Sequence, residues 1–369
     1  MANKYDVAAF VWPAYTGDEG RTRIFWPDGY GEWETVKAAE ARFEGHEWPR
    51  KPLWGYVNEA DPYVMEMQIE AAVDHGVNVF IYDWYWYDDR PFLEQCLNEG
   101  FLKAKNRSKM KFYLMWANHD VTYGWDRRIS TKDYNTVIWK GAQDKEQFRI
   151  IAKRWIEKYF TLPEYYLIDN KPVISIYDLQ NFIDGLGGVE DAKKEMQWLD
   201  SEVKKLGFDG VHFQYIKFGT VTTNISGFDG GEKTYNPAEI IKLLPFNSLT
   251  HYQFVHFADM NRDYDEIMKD VEKEWQEIEK EYDIPYYPHI SIGWDNTPRF
   301  KTHTNTVVKN NPPEKFEAAL MKAKEYADEK NVKLVTVNSW NEWTETSYLQ
   351  PDDLHGYGYL EAVRKVFGK

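Results

Sequence analysis

The sequence predicts an α/β fold, a single (β/α)8 barrel of the TIM type with long strand-to-helix loops. Eight short runs rich in β-branched and aromatic residues recur along the 369 residues, and helical segments separate them. Strands separated by helices cannot pair as hairpins, so they are expected to lie parallel. An unbroken alternation of eight such units favours a closed barrel over an open sheet. Because the sequence contains neither a linker nor a repeat of fixed period, we expect one domain over residues 1–369.

The strands are predicted from apolar runs, each of which has the length of one barrel strand. The first begins within ten residues of the start of the chain, and the last ends directly before a polar segment rich in Trp and Glu. In order, the predicted strands are Val7–Tyr15, Val77–Tyr82, Lys111–Trp116, Lys171–Asp178, Gly210–Ile216, Ser248–Phe254, Tyr286–Ile292 and Leu334–Asn338.

The helices are predicted from apolar spacings of three and four residues and from capping signals. Asp61 and Asn236 each precede a proline, an order typical of an N-cap followed by the first helical position. Gly76 ends the helix that Asp61 starts. The other predicted helices are Pro91–Lys105, Gln147–Tyr159, Val189–Leu206, Tyr264–Tyr282, Pro313–Lys330 and Tyr357–Phe367.

Two long segments without a sustained period, Thr16–Glu59 and Val121–Lys145, follow predicted strands. Loops of this length are usually functional or disordered. Five aromatic residues in the first segment favour ordered packing over a site. They are Trp26, Tyr30, Trp33, Trp48 and Trp54.

The composition is unusually aromatic, with 17% Phe, Trp and Tyr and 16 Trp in total. Aromatic faces stack on the C–H faces of sugar rings while their polar edges form hydrogen bonds, so this composition favours a carbohydrate-binding surface. An aromatic core explains part of the excess equally well. The partner expected from these features is an oligosaccharide or polysaccharide substrate.

The net charge of −15 disfavours partners that carry many negative charges. Phosphate backbones and anionic lipids are repelled by such a surface, so we expect neither a nucleic acid nor a membrane partner. Cys96 is the only cysteine and is expected to be buried in a helix. The N-terminus has no basic-then-apolar leader. A cytoplasmic protein is therefore expected, or a periplasmic or secreted one if a leader has been removed, as a monomer or weak homo-oligomer.

The segment Leu334–Asp352 contains the strongest candidate for catalysis. A predicted buried strand is followed there by Asn341 and by two acids three positions apart, Glu342 and Glu345. Trp340 lies two positions before the first acid, and Trp343 lies two positions before the second. Glycosidic bond cleavage uses two carboxyl groups, of which one is kept protonated by apolar surroundings and the other stays ionised. We therefore predict that Glu342 and Glu345 are the catalytic residues.

Substrate contacts are predicted at the C-terminal ends of the strands, where barrel enzymes place their active sites. Nearly every predicted strand ends in an aromatic, amide, acidic or imidazole side chain, whereas the opposite ends have far fewer. The candidate substrate-binding residues are Trp12, Tyr15, Asp83, Trp84, Tyr85, Trp116, Asn118, His119, Tyr177, Tyr215, His251, Tyr252, Trp294, Asp295, Arg299 and Asn341.

Several of these candidates have an equally ordinary structural explanation. Asp83 either binds sugar hydroxyls through both oxygens or caps backbone amides. Arg299 either orients an acid or a substrate anion, or braces a loop in an ion pair. The imidazoles of His119 and His251 are more often structural than substrate-binding. Sugar stacking is favoured over plain packing for the aromatic residues Trp84, Tyr85, Trp116 and Trp294.

Glu342-Trp-Thr-Glu345 after Asn341 resembles the catalytic segment of the endo-α-mannosidases of glycoside hydrolase family 99. A bacterial group related to that family, often labelled polysaccharide-biosynthesis glycosyltransferases, is similar over nearly the whole chain. The similar stretches, in the same order, are Tyr5-Asp-Val-Ala-Ala-Phe-Val-Trp-Pro13, Asp83-Trp-Tyr85, Gly293-Trp-Asp-Asn-Thr-Pro-Arg299 and Ser339-Trp-Asn-Glu-Trp343.

The resemblance implies a retaining α-glycosidase on a (β/α) barrel. In the mannosidases, the acid that matches Glu342 removes the proton of the sugar's own 2-hydroxyl, whose oxygen closes an epoxide-like anhydro sugar. The acid that matches Glu345 protonates the leaving oxygen and later activates water. The mannosidases have His and Gly around this second acid, where the present chain has Thr344 and Thr346. A mannose substrate and an endo mode therefore do not carry over directly.

The sequence predicts neither a metal site nor a cofactor. It has no paired-Cys or His-Glu-x-x-His motif, and no glycine-rich loop of the type that cradles phosphates. Two other functions stay open beside the glycosidase. One is a glycosyltransferase in surface polysaccharide biosynthesis, as the label of the similar group suggests, and the other is a non-catalytic lectin.

Overall fold

The barrel predicted from the sequence is present in the computed structural model, which describes residues 4–17, 19–128, 130, 132–225, 231–302 and 306–368. Eight parallel strands follow one another in the order β6-β5-β4-β3-β2-β1-β8-β7. A parallel bridge between Leu249 and Tyr286 brings the two ends of this sheet together, so the barrel is nearly closed. The strands are β1 (Asp6–Val11), β2 (Val79–Tyr87), β3 (Lys111–Trp116), β4 (Lys171–Ile176), β5 (His212–Ile216), β6 (Ser248–Thr250), β7 (His289–Ser291) and β8 (Leu334–Asn338).

Helices connect the strands on the outside of the barrel. Asp61 caps the N-terminus of the helix Pro62–Asp74 by accepting from the backbone N–H of Tyr63, and Asn236 forms a capping box with Glu239 at the start of the helix Pro237–Ile241. Both capping predictions are thus confirmed. The helices are α1 (Trp33–Lys37), α2 (Pro62–Asp74), α3 (Lys145–Trp155), α4 (Leu179–Leu186), α5 (Val189–Lys204), α6 (Pro237–Ile241), α7 (Tyr264–Glu281), α8 (Pro313–Lys330) and α9 (Gly358–Phe367).

The segment after β2 differs from the predicted helix over Pro91–Lys105. β2 continues to Tyr87, and Asp88 and Asp89, both with positive φ, turn the chain into a short antiparallel strand, Arg90–Phe92. The helical part is then reduced to a π turn and two 3-10 turns, Cys96–Gly100, Phe101–Lys103 and Arg107–Lys109. Asp tolerates the left-handed conformation better than most residues, which is why the acidic pair forms a hairpin turn there.

Strand ends are the other point at which prediction and structure differ. β1 stops at Val11 rather than at Tyr15, because the chain turns at Pro13 and the long loop begins there. β6 and β7 are only three residues long, although the apolar runs that contain them are seven residues long. A helix that was not predicted, α4, begins directly after β4, and its N-cap is the Asp178 side chain, which accepts from Asn181.

Polar side chains fill much of the interior of the barrel. The hydroxyls of Thr250 and Thr336 lie 2.8 Å apart, and Nδ1 of His289 lies 3.0 Å from Thr336. On the other side, Ser175 and Tyr113 both donate to the amide oxygen of Gln214. Burial lowers the pKa of His289 well below its usual value, so this imidazole is neutral. The apolar packing lies mainly between the strands and the surrounding helices.

The long loop after β1 is packed onto the C-terminal face of the barrel, as its aromatic content predicted. Trp26, Trp33 and Trp48 are buried, whereas Tyr30 is largely exposed. Two small hairpins, Val121–Thr122 with Val137–Trp139 and Val221–Thr223 with Lys233–Tyr235, extend the same face. Among the described residues, we find no helix with the length and hydropathy required to cross a lipid bilayer.

Candidate active site

A tight turn directly after β8 positions both predicted catalytic acids. Asn341–Glu342 pairs with Ser347–Tyr348 in a two-stranded ladder, and the intervening 3-10 turn ends at Thr346, whose φ is +55°. The hydroxyl of Ser339 accepts from the backbone N–H of Glu342 at 2.7 Å and donates to the carbonyl of Ser347 at 2.7 Å. This bracing holds the two acids on a rigid element at the mouth of the barrel.

Arg299 connects the two acids. Its Nη1 donates to Oε1 of Glu345 at 2.7 Å, and its Nη2 donates to Oε2 of Glu342 at 3.3 Å. Nε of the same guanidinium donates to the hydroxyl of Thr344 at 2.8 Å. Because one planar group contacts both carboxyl groups, the side chains of Glu342 and Glu345 converge on one place.

A third acid, Glu32 from the loop after β1, completes the arrangement and was not predicted from the sequence. Glu32 is fully buried and accepts from Thr344 at 2.9 Å and from the indole N–H of Trp12 at 2.5 Å. Its Oε1 also lies 3.4 Å from Nε of Arg299. It lies in a loop without hydrophobic periodicity, so sequence patterns gave no signal for it.

Tyr252, at the C-terminal end of β6, bridges two further oxygens. Its hydroxyl lies 3.0 Å from Oδ2 of Asp83 and 3.1 Å from Oε1 of Glu342. A phenol has one proton to donate, so only one of these contacts has Tyr252 as its donor. A proton on Asp83 or Glu342 would make the other contact a hydrogen bond as well, and the raised pKa of both acids favours that protonated form.

Burial is the main cause that raises the pKa of each acid in this cluster. It raises the pKa of Glu342 and of Asp83 well above the usual value, and the neighbouring Glu345 raises both further. The pKa of Glu345 is also raised by burial, but the Arg299 guanidinium opposes this. The pKa of Glu32 is raised for the same reason. Of these two acids, therefore, Glu342 is the one on which a proton is favoured, and Glu345 has the closer arginine contact.

These side chains line a cavity of about 320 Å³ at the C-terminal face of the barrel. Its walls are largely aromatic, and the rings of Trp12 and Tyr85 meet edge to face at 5.8 Å. Oδ1 of Asp83 and Oε2 of Glu345 have no hydrogen-bond partner among the described residues, so both can accept from a ligand. The cavity is lined by Trp12, Asp83, Tyr85, Met115, Ala117, His119, Trp125, Tyr177, Asp178, Phe218, Tyr252, Arg299, Glu342 and Glu345.

His119 is one of the predicted residues in the cavity wall, and its protonation state is set by its surroundings. Nδ1 lies 3.0 Å from the carbonyl of Asp120 and is the donor there, so Nε2 is left as an acceptor. Burial lowers the pKa of His119, which favours the neutral ring. Near it, the hydroxyl of Tyr177 lies 3.3 Å from Nε2 of His256, whose pKa burial lowers to about 3.

Of the sixteen predicted substrate-binding residues, seven line the cavity and nine lie away from its wall. On β2, Asp83 and Tyr85 face the cavity, while Trp84 between them packs against Trp155 of α3. This follows from the alternation of side chains along a strand. The predicted residues that do not line the cavity are Tyr15, Trp84, Trp116, Asn118, Tyr215, His251, Trp294, Asp295 and Asn341.

The displaced residues have identifiable structural contacts. Trp116 packs against α3 and α4, and Tyr215 donates to the carbonyl of Phe218. His251 lies 3.0 Å from the hydroxyl of Tyr286. Asn118 exchanges hydrogen bonds with the backbone of Asp178.

The other four displaced residues lie near the turn after β8 or in a second cavity. Tyr15 and Asn341 are fully buried, and Asn341 holds the backbone of Trp12 through two hydrogen bonds of 2.8 Å. Trp294 and Asp295 line a separate cavity.

Several residues that line the cavity were also not predicted from the sequence. Trp125 comes from the hairpin after β3, Phe218 follows β5, and Asp178 follows the predicted Tyr177. Met115 and Ala117 flank Trp116 and face the cavity because Trp116 faces outward. Because side chains alternate along a strand, Met115 and Ala117 share one face of the sheet, and Trp116 lies on the other.

Among the described residues, no three His, Cys, Asp or Glu side chains are arranged to hold a metal ion. The acidic cluster is instead neutralised by Arg299 and by protons. The chemistry that this arrangement offers is proton transfer by paired carboxyl groups.

A family model described as "Glycosyltransferase WbsX" matches residues 7–363. Among curated proteins, the uncharacterized protein WxcX of Xanthomonas campestris pv. campestris is 25% identical over 347 residues, which is 93% of this chain and 47% of that protein. The chain thus spans about half the length of the curated relatives it matches.

Among solved structures, the GH99 endo-α-mannosidase from Bacteroides thetaiotaomicron has a TM-score of 0.57 at 14% identity, covering 100% of this chain and 97% of that one. A structure described as a glycoside hydrolase-like protein has a TM-score of 0.62 at 14% identity, covering 100% and 95%. This chain therefore has the same barrel fold as these two proteins.

Proposed function

This chain belongs to the glycosyltransferase WbsX family, and we propose that it is nevertheless a retaining glycoside hydrolase that cleaves an α-linked glycan. The observation that carries the proposal is that Glu342 and Glu345 share the guanidinium of Arg299 at the wall of an aromatic cavity. Paired carboxyl groups with different surroundings are what glycosidic cleavage requires. We also propose that residues 1–369 form one catalytic domain.

In the proposed first step, Glu342 accepts the proton of the sugar's 2-hydroxyl, and the oxygen attacks the anomeric carbon. Glu345 gives its proton to the leaving glycosidic oxygen as the C–O bond breaks. In the second step water attacks the anomeric carbon, Glu345 takes a proton from the water, and Glu342 returns its proton to the 2-oxygen. Two inversions at one carbon give retention, and both acids recover their starting protonation states.

This cycle needs a proton on Glu345 and none on Glu342, whereas the ligand-free site favours the reverse. The two acids contact one guanidinium and interact electrostatically, so they titrate as a pair, and a proton on one acid lowers the proton affinity of the other. A 2-hydroxyl that donates to Glu342 favours its ionised form. We therefore propose that substrate binding moves the proton to Glu345.

The residues proposed to bind the sugar are the aromatic and polar groups of the cavity wall. Trp12 and Tyr85 offer ring faces, and Asp83 offers an oxygen that has no partner among the described residues. His119 offers Nε2 as an acceptor for a hydroxyl. A cavity of about 320 Å³ is small, which favours close binding of one or two sugar units.

The test replaces each acid by its amide, which keeps the shape and removes the proton chemistry. Glu342→Gln and Glu345→Gln are each expected to lower kcat about 10²–10⁴-fold on an α-glycan or aryl α-glycoside. Released sugar and its anomeric configuration are followed by NMR, and the melting temperature is the control for folding. Activity within twofold of wild type in both variants would contradict the assignment.

A glycosyltransferase is the second candidate, because the family model carries that description. It predicts that sugar nucleotide is consumed only when an acceptor glycan is present. The proposed hydrolase cuts its glycan without added sugar nucleotide. Measuring nucleotide release and glycan cleavage in parallel with the same protein distinguishes the two.

A further inference from the structure

A second and larger cavity, of about 600 Å³, opens on the same face of the barrel. It lies between the loop after β1, the loop after β7 and the turn after β8. Its floor and sides include Trp48, Arg50, Trp294 and Thr346, and its rim includes Phe43 and Asn261. The two cavities have no lining residue in common among the described residues.

The wall between the two cavities is well braced. The backbone N–H of Asp295 donates to the carbonyl of Glu345 at 2.8 Å, and the hydroxyl of Thr346 donates to the carbonyl of Asp295 at 3.0 Å. The carboxylate of Asp295 accepts from Nε2 of His46 at 2.6 Å, because Nδ1 of that ring is occupied as an acceptor from the backbone N–H of Arg42. The second cavity therefore lies on the far side of the Glu345–Thr346 turn from the first.

The lining of this cavity combines aromatic surface with hydrogen-bonding groups. Trp294 is half-buried, and the Phe43 ring is 41% exposed and stacks on His46 at 4.4 Å. Three side-chain amides, from Asn261, Asn310 and Asn311, stand around the opening. Ring faces beside amide groups match the C–H faces and hydroxyls of a sugar ring.

The charges in the lining are balanced, unlike those of the molecule as a whole. Arg50 and Lys309 are its cations, and Glu47 and Asp295 are its carboxylates. Arg50 is buried and paired with Glu47 at 2.9 Å. Burial also lowers the pKa of His355, which favours its neutral ring. A lining without net charge selects for a neutral ligand over an anionic one.

We propose that this second cavity is a binding site for a neutral saccharide unit that is not presented to Glu342 and Glu345. Its volume lies in the range of about 300–1,000 Å³ that is usual for small-ligand sites. The choice of a sugar as the ligand rests on the proposed function, whereas the existence of a polar, aromatic site does not. A second site of this kind would tether one part of a glycan while another part occupies the catalytic cavity.

The experiment measures binding separately from turnover. Mannobiose and maltose, two neutral α-linked disaccharides, are titrated into Glu345→Gln protein by calorimetry, and two binding sites are expected for at least one of them. Trp294→Ala removes one of the aromatic rings that line the second cavity. Asn261→Trp places a large side chain into the same cavity from its exposed rim. Each variant is expected to lower the affinity of the site in the second cavity at least tenfold and to leave the affinity of the site in the first cavity unchanged.

Two controls separate this proposal from the proposed function. Tyr63→Ala removes a largely exposed ring on α2 and should leave both sites unchanged. His119→Ala alters the cavity that contains Glu342 and Glu345, so it should weaken binding in that cavity and leave binding in the second cavity unchanged. If neither disaccharide binds, or if only His119→Ala weakens binding, the second site is refuted. Full turnover by Glu345→Gln refutes the hydrolase and leaves a measured second site standing.

Discussion

Arg299 is the residue on which the electrostatics of the cavity that contains Glu342 and Glu345 depend. Three buried acids, Glu32, Glu342 and Glu345, lie within 3.4 Å of its nitrogen atoms. Burial alone would protonate such a cluster. Arg299 opposes this for all three acids, and it is the largest of the influences that lower the pKa of Glu342 and of Glu345.

Replacing this guanidinium is expected to shift the pH profile upward. In Arg299→Met the pKa values of Glu342 and Glu345 both rise, because the main influence that lowers them is removed. Both limbs of the profile of kcat/KM against pH should therefore move to higher pH. The matched control, Arg299→Lys, keeps the charge and should shift the limbs less, although it loses the two-armed contact. An unchanged profile in Arg299→Met would contradict this account.

Glu59 is a second buried acid whose titration should be visible, in this case in stability. It accepts from the side-chain amides of Gln68, Asn341 and Gln350, and burial raises its pKa from 4.5 to about 7. The folded protein therefore holds a proton that the unfolded chain releases. The stability contributed by Glu59 is full below about pH 4.5 and is lost as the pH rises to about 7.

In Glu59→Gln this pH-dependent loss is removed. The difference in the free energy of unfolding between pH 4.5 and pH 8 should shrink by about 3 kcal/mol. Urea unfolding at the two pH values measures it, with Glu40→Gln, whose side chain is 75% exposed, as the control. Other buried acids shift in the same direction, so wild-type stability should still fall with pH. An equal fall in wild type and Glu59→Gln would show that Glu59 does not titrate in this range.

At the scale of elements, the loop after β1 contributes Glu32 to the site, and one glycine fixes its path. Gly31 has φ of +62°, and a Cβ there would lie 2.0 Å from the carbonyl oxygen of Ala14. The next residue, Glu32, donates its backbone N–H to that same oxygen at 3.1 Å. The position of the buried acid beside Arg299 therefore depends on a close backbone contact that only glycine permits.

Gly31→Ala is therefore expected to damage both stability and the site. The left-handed backbone alone costs about 1–2 kcal/mol for a residue with a Cβ, and the clash with Ala14 adds to this. Gly55→Ala is the matched control, since Gly55 has φ of +77° in the same loop but nothing within 4 Å of the added Cβ. Denaturant unfolding should show a clearly larger loss for Gly31→Ala. Equal losses would mean that the loop adapts.

The pattern of each strand and loop determined which features could be predicted from the sequence. The eight strands were predictable because buried parallel strands are continuous apolar runs. Glu342 and Glu345 were predictable because they follow such a run directly. Which aromatic residues face the cavity was not, since Trp84 and Tyr85 are equally apolar and only strand alternation separates them. Glu32 lies in an aperiodic loop whose path depends on tertiary contacts.

In the barrel as a whole, neighbouring strands differ in the number of residues through which they pair. β2 and β3 are paired at six positions, whereas β5–β6 and β7–β8 are each paired at three. Between β6 and β7 the described residues show one bridge, with backbone hydrogen bonds from Leu249 to Pro285 and from Tyr287 to Leu249. The hydroxyl of Thr250 adds a bond to the carbonyl of Tyr287. The barrel thus has a seam between β6 and β7.

This seam should open before the rest of the barrel, because local stability follows the number of buried backbone hydrogen bonds that must break. Hydrogen exchange followed by mass spectrometry is expected to show faster exchange in peptides covering β6 and β7 than in those covering β2 and β3. Thr250→Val removes the hydroxyl that supports the seam and should accelerate exchange there while leaving β2 and β3 unchanged. Because Tyr252 follows β6 directly and contacts Asp83 and Glu342, opening of the seam would also displace a cavity residue. Uniform exchange across all eight strands would instead show that the barrel opens as one cooperative unit.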